Sequence, residues 1–389
     1  MVKNNRRARK YCMPFILIIG LIGFMNVFSI SGFATQWALI DICTWGSMLL
    51  FVGEFFTNKK ENLLLPKYVT GILGLAVLLI GLTMFMNYQK IEQLTNMVTL
   101  FGIVMWIQLL SKLHWEFCDF KIIGLVSLLF GMCITYNFLP GHVLAGWNSN
   151  SSIVAIPIVL FGCVALWLTG EKWMRIIVLL ACCLLFSIAQ GLNNRSSQLI
   201  ILLFLLLLLF PFPVYKKKWF RLFYLFVIVF NVIWPLLYED LLQMPVVKDF
   251  FDVGTVISGK DAGLNGRESV WKICRMYISD SPLLGHAGLR YIYSHNFSLD
   301  VLGQFGWMGW IVYILSLICI FERVFQEGSP YNLYLVAFIC FLLMNTFENM
   351  MVSNEGFTIF SYILLAIPFY LNKKMYSNNY LLIDKRFSC

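Results

Sequence analysis

Residues 173–214 read WMRIIVLLACCLLFSIAQ, then GLNNRSS, then QLIILLFLLLLLFPFPV. Crossing the ~30 Å hydrocarbon layer of a membrane takes about 20 predominantly apolar residues in a helix. The runs at 173–190 and 198–214 come close to that length and hold one charge between them, Arg175 near the start of the first. Basic residues bracket the pair, with Lys172 before it and Lys216, Lys217 and Lys218 after it. The pattern is a helical hairpin that enters and leaves a membrane, with Arg195 alone at its far turn.

The same grammar extends through the chain. Candidate spans lie near 13–31, 35–56, 68–87, 96–113, 121–140, 152–169, 173–190, 198–214, 219–237, 299–321, 331–348 and 356–372. The fold expected is an all-α polytopic membrane protein with about twelve transmembrane helices and both termini cytoplasmic, forming one integral membrane domain over 1–389. Composition agrees: of 389 residues, 60% are hydrophobic and 13% charged, with 35 Phe and 12 Trp. A soluble domain is nearer half apolar and a quarter charged. That excludes a soluble enzyme and a disordered chain. The net charge of +9 does not indicate nucleic acid, because the basic residues cluster in short segments between apolar runs.

Lys and Arg mark cytoplasmic loops. With KNNRRARK at the N-terminus inside, the clusters at Lys59, Lys216 and Lys373 also fall inside. The first apolar run reads as an uncleaved helix, since it is long enough to span and no convincing small-residue cleavage site follows it. Only Lys90, Arg195, Lys248, Lys260, Arg267, Lys272, Arg275 and Arg290 are left outside. Most connections are short, but 238–298 forms a large external loop between the ninth and tenth spans. Long ordered loops usually carry function. This one has enough apolar residues to fold back on the membrane surface. Cys274 is its one cysteine and has no disulfide partner there.

Three features on the outer side carry chemistry. Arg195 in GLNNRSS either meets a lipid headgroup or holds a bound anion. A short helix is predicted to start near Gly266 and stop at Pro282, with Arg267, Trp271 and Arg275 at four-residue spacing on one face. Two guanidiniums flanking an indole suit a phosphate and a sugar, and equally suit an amphipathic helix at the membrane interface. Third, SHNFSLDVLGQFGWMGW carries His295 and Asn296 just outside the tenth span, followed by Gly303, Gly306 and Gly309 at a spacing that permits close helix approach. A lone interfacial histidine is structural or catalytic. Trp147 and His142 in another outer loop, and the deep carboxylate of Asp41, are weaker candidates. Nothing matches a GxxxxGK[ST] phosphate loop, an HExxH or Cys/His metal site, or a DxD pair.

Together the three features resemble the O-antigen ligase and O-antigen/capsular polysaccharide polymerase superfamily. Its R-x3-L motif is matched by Arg195 and Leu199, its Gly-Arg followed by Trp by Gly266, Arg267 and Trp271, and its H[NSQ]-x9-G-x-x-G by His295, Asn296, Gly306 and Gly309. The likeness covers roughly 190–312; the earlier spans agree only in hydropathy. It implies a metal-independent glycosyltransferase of the bacterial cytoplasmic membrane, acting on the periplasmic or extracellular side without a cofactor. The donor would be an undecaprenyl-diphosphate-linked oligosaccharide, and the activity expected is repeat-unit polymerisation. The ligase activity, transfer to lipid A–core, shares the same motif residues. His295, Arg267 and Arg195 take catalytic roles under this resemblance. Asn296, Trp271, Arg275 and Arg290 take substrate-binding ones, and His286 remains secondary. Membrane lipids, a flippase and a chain-length regulator are the partners it implies. A flippase of lipid-linked oligosaccharide is the reading from a different class; it expects polar residues deep in several helices and an internal repeat, and neither is visible.

Overall fold

A computed structural model describes residues 67–91, 93–94, 96–97, 121–122, 124–129, 131–132, 155–191, 194–210, 216–241, 244–246, 256–257, 260–261, 267–290 and 293–347. The expected spans at 13–31, 35–56 and 356–372 lie outside these residues, as do nearly all of 96–113, half of 121–140, and Asp41, His142 and Trp147. The described chain is helical apart from one antiparallel pair of two-residue strands. In order, the elements are α1 (Lys67–Met86), α2 (Ala155–Trp167), α3 (Lys172–Gly191), α4 (Arg195–Leu209) and α5 (Lys217–Leu241). Then come β1 (Val256–Ile257), β2 (Lys260–Asp261), α6 (Arg267–Asp280), α7 (Phe297–Val324) and α8 (Asn332–Met344). Four described helices, α1, α3, α5 and α7, are long and apolar enough to cross a membrane.

The exterior differs from that of a water-soluble bundle. Large apolar side chains such as Leu180, Leu206, Phe226 and Ile311 face outwards, while Asn231, Asn296, Ser298 and Gln304 are buried. In lipid, exposed leucine costs nothing, and helices associate through close packing and interhelical hydrogen bonds. Helix α8 is the centre: every residue from Asn332 to Met344 is buried, and α2, α4 and α5 pack around it. A helix enclosed on all sides needs no polar face, and this one has none beyond its termini.

Ion pairs and hydrogen bonds join distant segments of the described chain. Lys121 pairs with Glu171 at 2.9 Å, and Lys217 and Arg221 both pair with Glu322. Glu322 lies near the C-terminal end of α7. Gln93 Nε2 donates to Ala287 O (3.2 Å) and Asn96 Nδ2 to Gly288 O (3.0 Å).

Three element boundaries differ from the hydropathy reading for local reasons. Helix α4 begins at Arg195, earlier than 198, because Asn194 caps it: the Asn194 Oδ1 accepts from Ser197 N (3.1 Å) and from Ser196 Oγ (2.9 Å). Arg195 is therefore the first residue of a helix, not the middle of a loop. Helix α5 runs through Pro235 to Leu241. Proline has no N–H, so the Asn231 carbonyl loses its helical donor, and Asn296 Nδ2 supplies one from another helix at 3.1 Å. Helix α7 is broken at Gly306, where φ is 63° and ψ −170°.

Candidate functional site

The break in α7 is filled by the chain that leads up to it. Trp307 N donates to Pro282 O (2.8 Å) and Met308 N to Leu283 O (3.1 Å); His286 N donates to Gly303 O (3.1 Å) and Gly288 N to Gln304 O (2.9 Å). Segment 282–288 thus replaces the helical bonds that Gly306 interrupts. Irregular backbone at membrane depth survives only when its polar groups are satisfied in this way. Two glycines make the approach possible. A Cβ on Gly285 would lie 2.5 Å from the backbone of Gln304, Phe305 and Gly306, and one on Gly306 would strike Leu283 O. The expected close-approach glycines are therefore a backbone crossing at Gly306, with Gly303 facing the Tyr277 ring.

His295 stands two residues before the start of α7. His295 has φ of 54°, the left-handed region that a residue with a Cβ enters at a cost of ~1–2 kcal/mol. Its neighbours hold it there. Ser294 Oγ donates to Asn296 O (2.7 Å) and accepts from Asn296 N (3.0 Å), closing a tight turn around His295. Asn296 caps α7, its Oδ1 accepting from Leu299 N at 2.9 Å. The Asn296 amide also donates to Thr346 O (2.9 Å) and, as above, to Asn231 O. Phe297 N donates to Asn345 O (3.0 Å), and Asn231 Oδ1 accepts from Ser298 Oγ (2.9 Å). The turn is bolted to α5, α7 and the end of α8, while His295 itself stays half-exposed, edge-on to Tyr293 at 4.4 Å.

Helix α6 supplies the facing wall. It spans Arg267–Asp280, close to the sequence expectation, and packs against α7. Trp271 is fully enclosed and its Nε1 donates to Ser294 O at 2.7 Å. That bond joins α6 to the residue before His295, and Arg267 and Arg275 stand one turn to either side of Trp271 along the helix. Arg275 lies over the Tyr238 ring at 5.4 Å, with Nη2 donating to Tyr238 Oη at 3.5 Å; Tyr238 Oη donates to Glu268 O (3.3 Å). Arg290 lies over the Tyr293 ring at 5.5 Å, and its Nε is 3.9 Å from Asp300 Oδ2. Asp300 Oδ1 accepts from Ser294 N at 3.0 Å. A carboxylate in the first turn of α7 also complements the positive end of that helix.

The seven residues expected to act at the site are thus distributed unevenly. Trp271, Asn296, Arg290 and His295 come together, with Arg267 and Arg275 on the adjoining helix face. Trp271 and Asn296 are wholly buried and serve the scaffold: the indole has no face open to a sugar, and the Asn296 amide is taken up by backbone rather than by the His295 ring. Arg195 is half-buried at the start of α4, which packs beside α8, the helix whose terminal turn anchors Asn296. His286 stacks on Tyr277 at 3.6 Å and contacts the Tyr277 carbonyl through Nε2 at 2.9 Å. Burial, reinforced by Asp300, pushes the Cys274 thiol up to about 12, so it is not a nucleophile at neutral pH.

Sequence reasoning missed Asn231, Ser294 and Gln304. One signal was available: Pro235 inside an apolar helix frees the carbonyl four residues back and so points to Asn231. Among the described residues no group of three or more His, Cys, Asp or Glu side chains is placed to hold a metal ion. No protein-family model matches the chain, and no curated protein sequence matches it.

Proposed function

We propose that the protein is a polysaccharide repeat-unit polymerase of the bacterial cytoplasmic membrane, with its active site on the outer side around His295. The observation that carries this reading is the His295 turn. A non-glycine residue held in left-handed backbone by a saturated hydrogen-bond scaffold, its ring left half-open, is a conformation that local folding alone disfavours. Strain maintained in that way is typical of a group kept in place for chemistry. The arginines of α6 and the Arg290 guanidinium beside the turn fit an anionic substrate.

In the proposed reaction, Arg267 and Arg195 hold the diphosphate that links the growing glycan to its polyprenyl carrier. Guanidinium is suited to this because its planar fork binds phosphate oxygens in pairs and stays charged. His295 accepts the proton of an acceptor hydroxyl, histidine being the side chain that titrates nearest neutrality. The hydroxyl oxygen forms the new bond to the anomeric carbon as the bond from that carbon to the diphosphate oxygen breaks. Polyprenyl diphosphate leaves with the bonding pair, stabilised by the fixed cations. Asp300 and Asn296 keep the turn rigid while this occurs.

The test is single replacement of Arg195, Arg267 and His295 with Ala in a strain lacking the native copy, followed by analysis of its glycan. Each variant reaches the membrane, and the strain carries single repeat units in place of polymer. Wild-type-length polymer from all three variants would remove the catalytic assignment. Complete absence of attached units in the null strain would replace polymerase by ligase, and accumulation of carrier-linked units on the inner face would replace it by flippase.

A further inference from the structure

Between α6 and α7 lies a pocket of about 10 Å³, room for roughly one water molecule. Cys274, Tyr277, Arg290, Asp300, Gly303 and Gln304 contribute to its walls. Gln304 is 1% exposed, and neither its Nε2 nor its Oε1 has a hydrogen-bond partner. A buried amide with both ends unanswered is rare in native proteins unless something fills the site. The pocket therefore asks for an occupant that both donates and accepts.

The walls narrow the choice. Gln304 Nε2 and the Arg290 guanidinium donate; Gln304 Oε1 and the Asp300 carboxylate accept. A phosphate is too large for the space and is repelled by Asp300, and an ammonium is repelled by Arg290. A hydroxyl satisfies both sets. We propose that this pocket, through Gln304 and Asp300, seats one hydroxyl of the acceptor sugar, with a water molecule filling it when the sugar is absent. Asp300 Oδ1 already holds Ser294 N, so a sugar anchored there lies beside the residue that precedes His295. The pocket would then select acceptors by the position of one hydroxyl, and Gln304 would be a specificity residue. The inference rests on the transfer reading for its substrate class.

Equilibrium dialysis on the full-length protein in detergent tests it, with labelled methyl glycosides of common hexoses and N-acetylhexosamines as probes. At least one glycoside binds, and its monodeoxy analogue lacking the seated hydroxyl binds about tenfold weaker, the loss of one well-made hydrogen bond. In Gln304→Met the preference for the glycoside over its deoxy analogue shrinks, since only the Asp300 side of the seat remains. Binding of none of the probes to the wild type, or undiminished discrimination in the variant, would overturn the proposal. If Gln304→Met does not fold, cryo-electron microscopy of the wild type with the bound glycoside decides: a sugar hydroxyl within hydrogen-bonding distance of Gln304 supports the pocket, and a pocket that holds only water or nothing refutes it. Binding needs no turnover, so failure of this pocket and failure of the catalytic role of His295 register in different measurements.

Discussion

Helices α3 and α7 look alike in hydropathy, yet only 28% of the spanning window of α3 is buried against 61% of that of α7. Helix α3 is continuous, turns Trp173, Ile176, Leu180 and Leu184 outwards, and packs through Val178, Cys182 and Leu185. Helix α7 is enclosed, broken at Gly306 and begun by a cap bonded to two other helices. The first is held by one apolar face and its own backbone bonds. The second is held by polar groups from segments far away in the chain. Hydropathy identifies both as membrane helices; the polar exceptions show which one supports the candidate site.

The largest contrast should come from glycine. Gly306→Ala drives a Cβ into Leu283 O at a positive φ and should destabilise the protein by ~3 kcal/mol or more. Gly191→Ala at the end of α3 meets nothing within 4 Å and should change stability by no more than about 0.5 kcal/mol. Thermal unfolding in detergent, followed by tryptophan fluorescence, checks both; equal effects would erase the distinction between the helices.

Polar substitutions come next. Asn296→Ala removes the α7 cap and strands carbonyls on two neighbours, for a loss of ~2–4 kcal/mol. Ser187→Ala on α3, whose hydroxyl bonds only the Cys183 carbonyl one turn back, should lie within about 0.5 kcal/mol of wild type. A subtler effect links α7 to α5. In Pro235→Ala the Asn231 carbonyl regains a helical donor, so Asn296→Ala should cost ~0.5–1 kcal/mol less in that background. A strictly additive double-mutant cycle would show that the proline and the cap are independent.

The smallest effect concerns Cys274 in α6, the helix that packs on α7. Its thiol should resist a water-soluble maleimide at neutral pH until the protein unfolds. In the folded protein the thiol titrates near 12, above its ordinary 9.0. The neutral thiol therefore favours the native state fully below pH 9, and that contribution fades as pH rises from 9 towards 12. Rapid labelling of native protein at pH 7 would show that α6 does not shelter this residue.

How much of this was legible in the sequence follows from the period of each signal. Helices α1, α3, α5 and α7 announce themselves because a span needs a long apolar run, and α6 because Pro282 stops it soon after Asp280. The break at Gly306 was not legible: glycine is common in membrane helices, and only the arrival of segment 282–288 distinguishes a crossing from a packing contact. Arg195 was placed in a loop because hydropathy starts a helix at its first apolar residue, whereas Asn194 starts this one by capping. His295 was legible as a candidate, but its strained backbone was not, since φ depends on bonds from Ser294 and Asn296 to groups on three helices. The resemblance implies substrate-binding roles for Trp271 and Asn296; their burial in the structure is something one sequence does not display.

One replacement tests the central claim that strain at His295 is held for chemistry. Glycine adopts φ near 54° without the Cβ penalty, so His295→Gly should raise stability by ~1 kcal/mol while abolishing glycan transfer. The measurement is unfolding of the purified protein, with polymer formation by the same protein in vesicles supplied with polyprenyl-diphosphate-linked repeat units. A variant that is more stable and makes no polymer is the predicted result. A variant that still makes polymer of normal length, or that is less stable than wild type, would contradict the account.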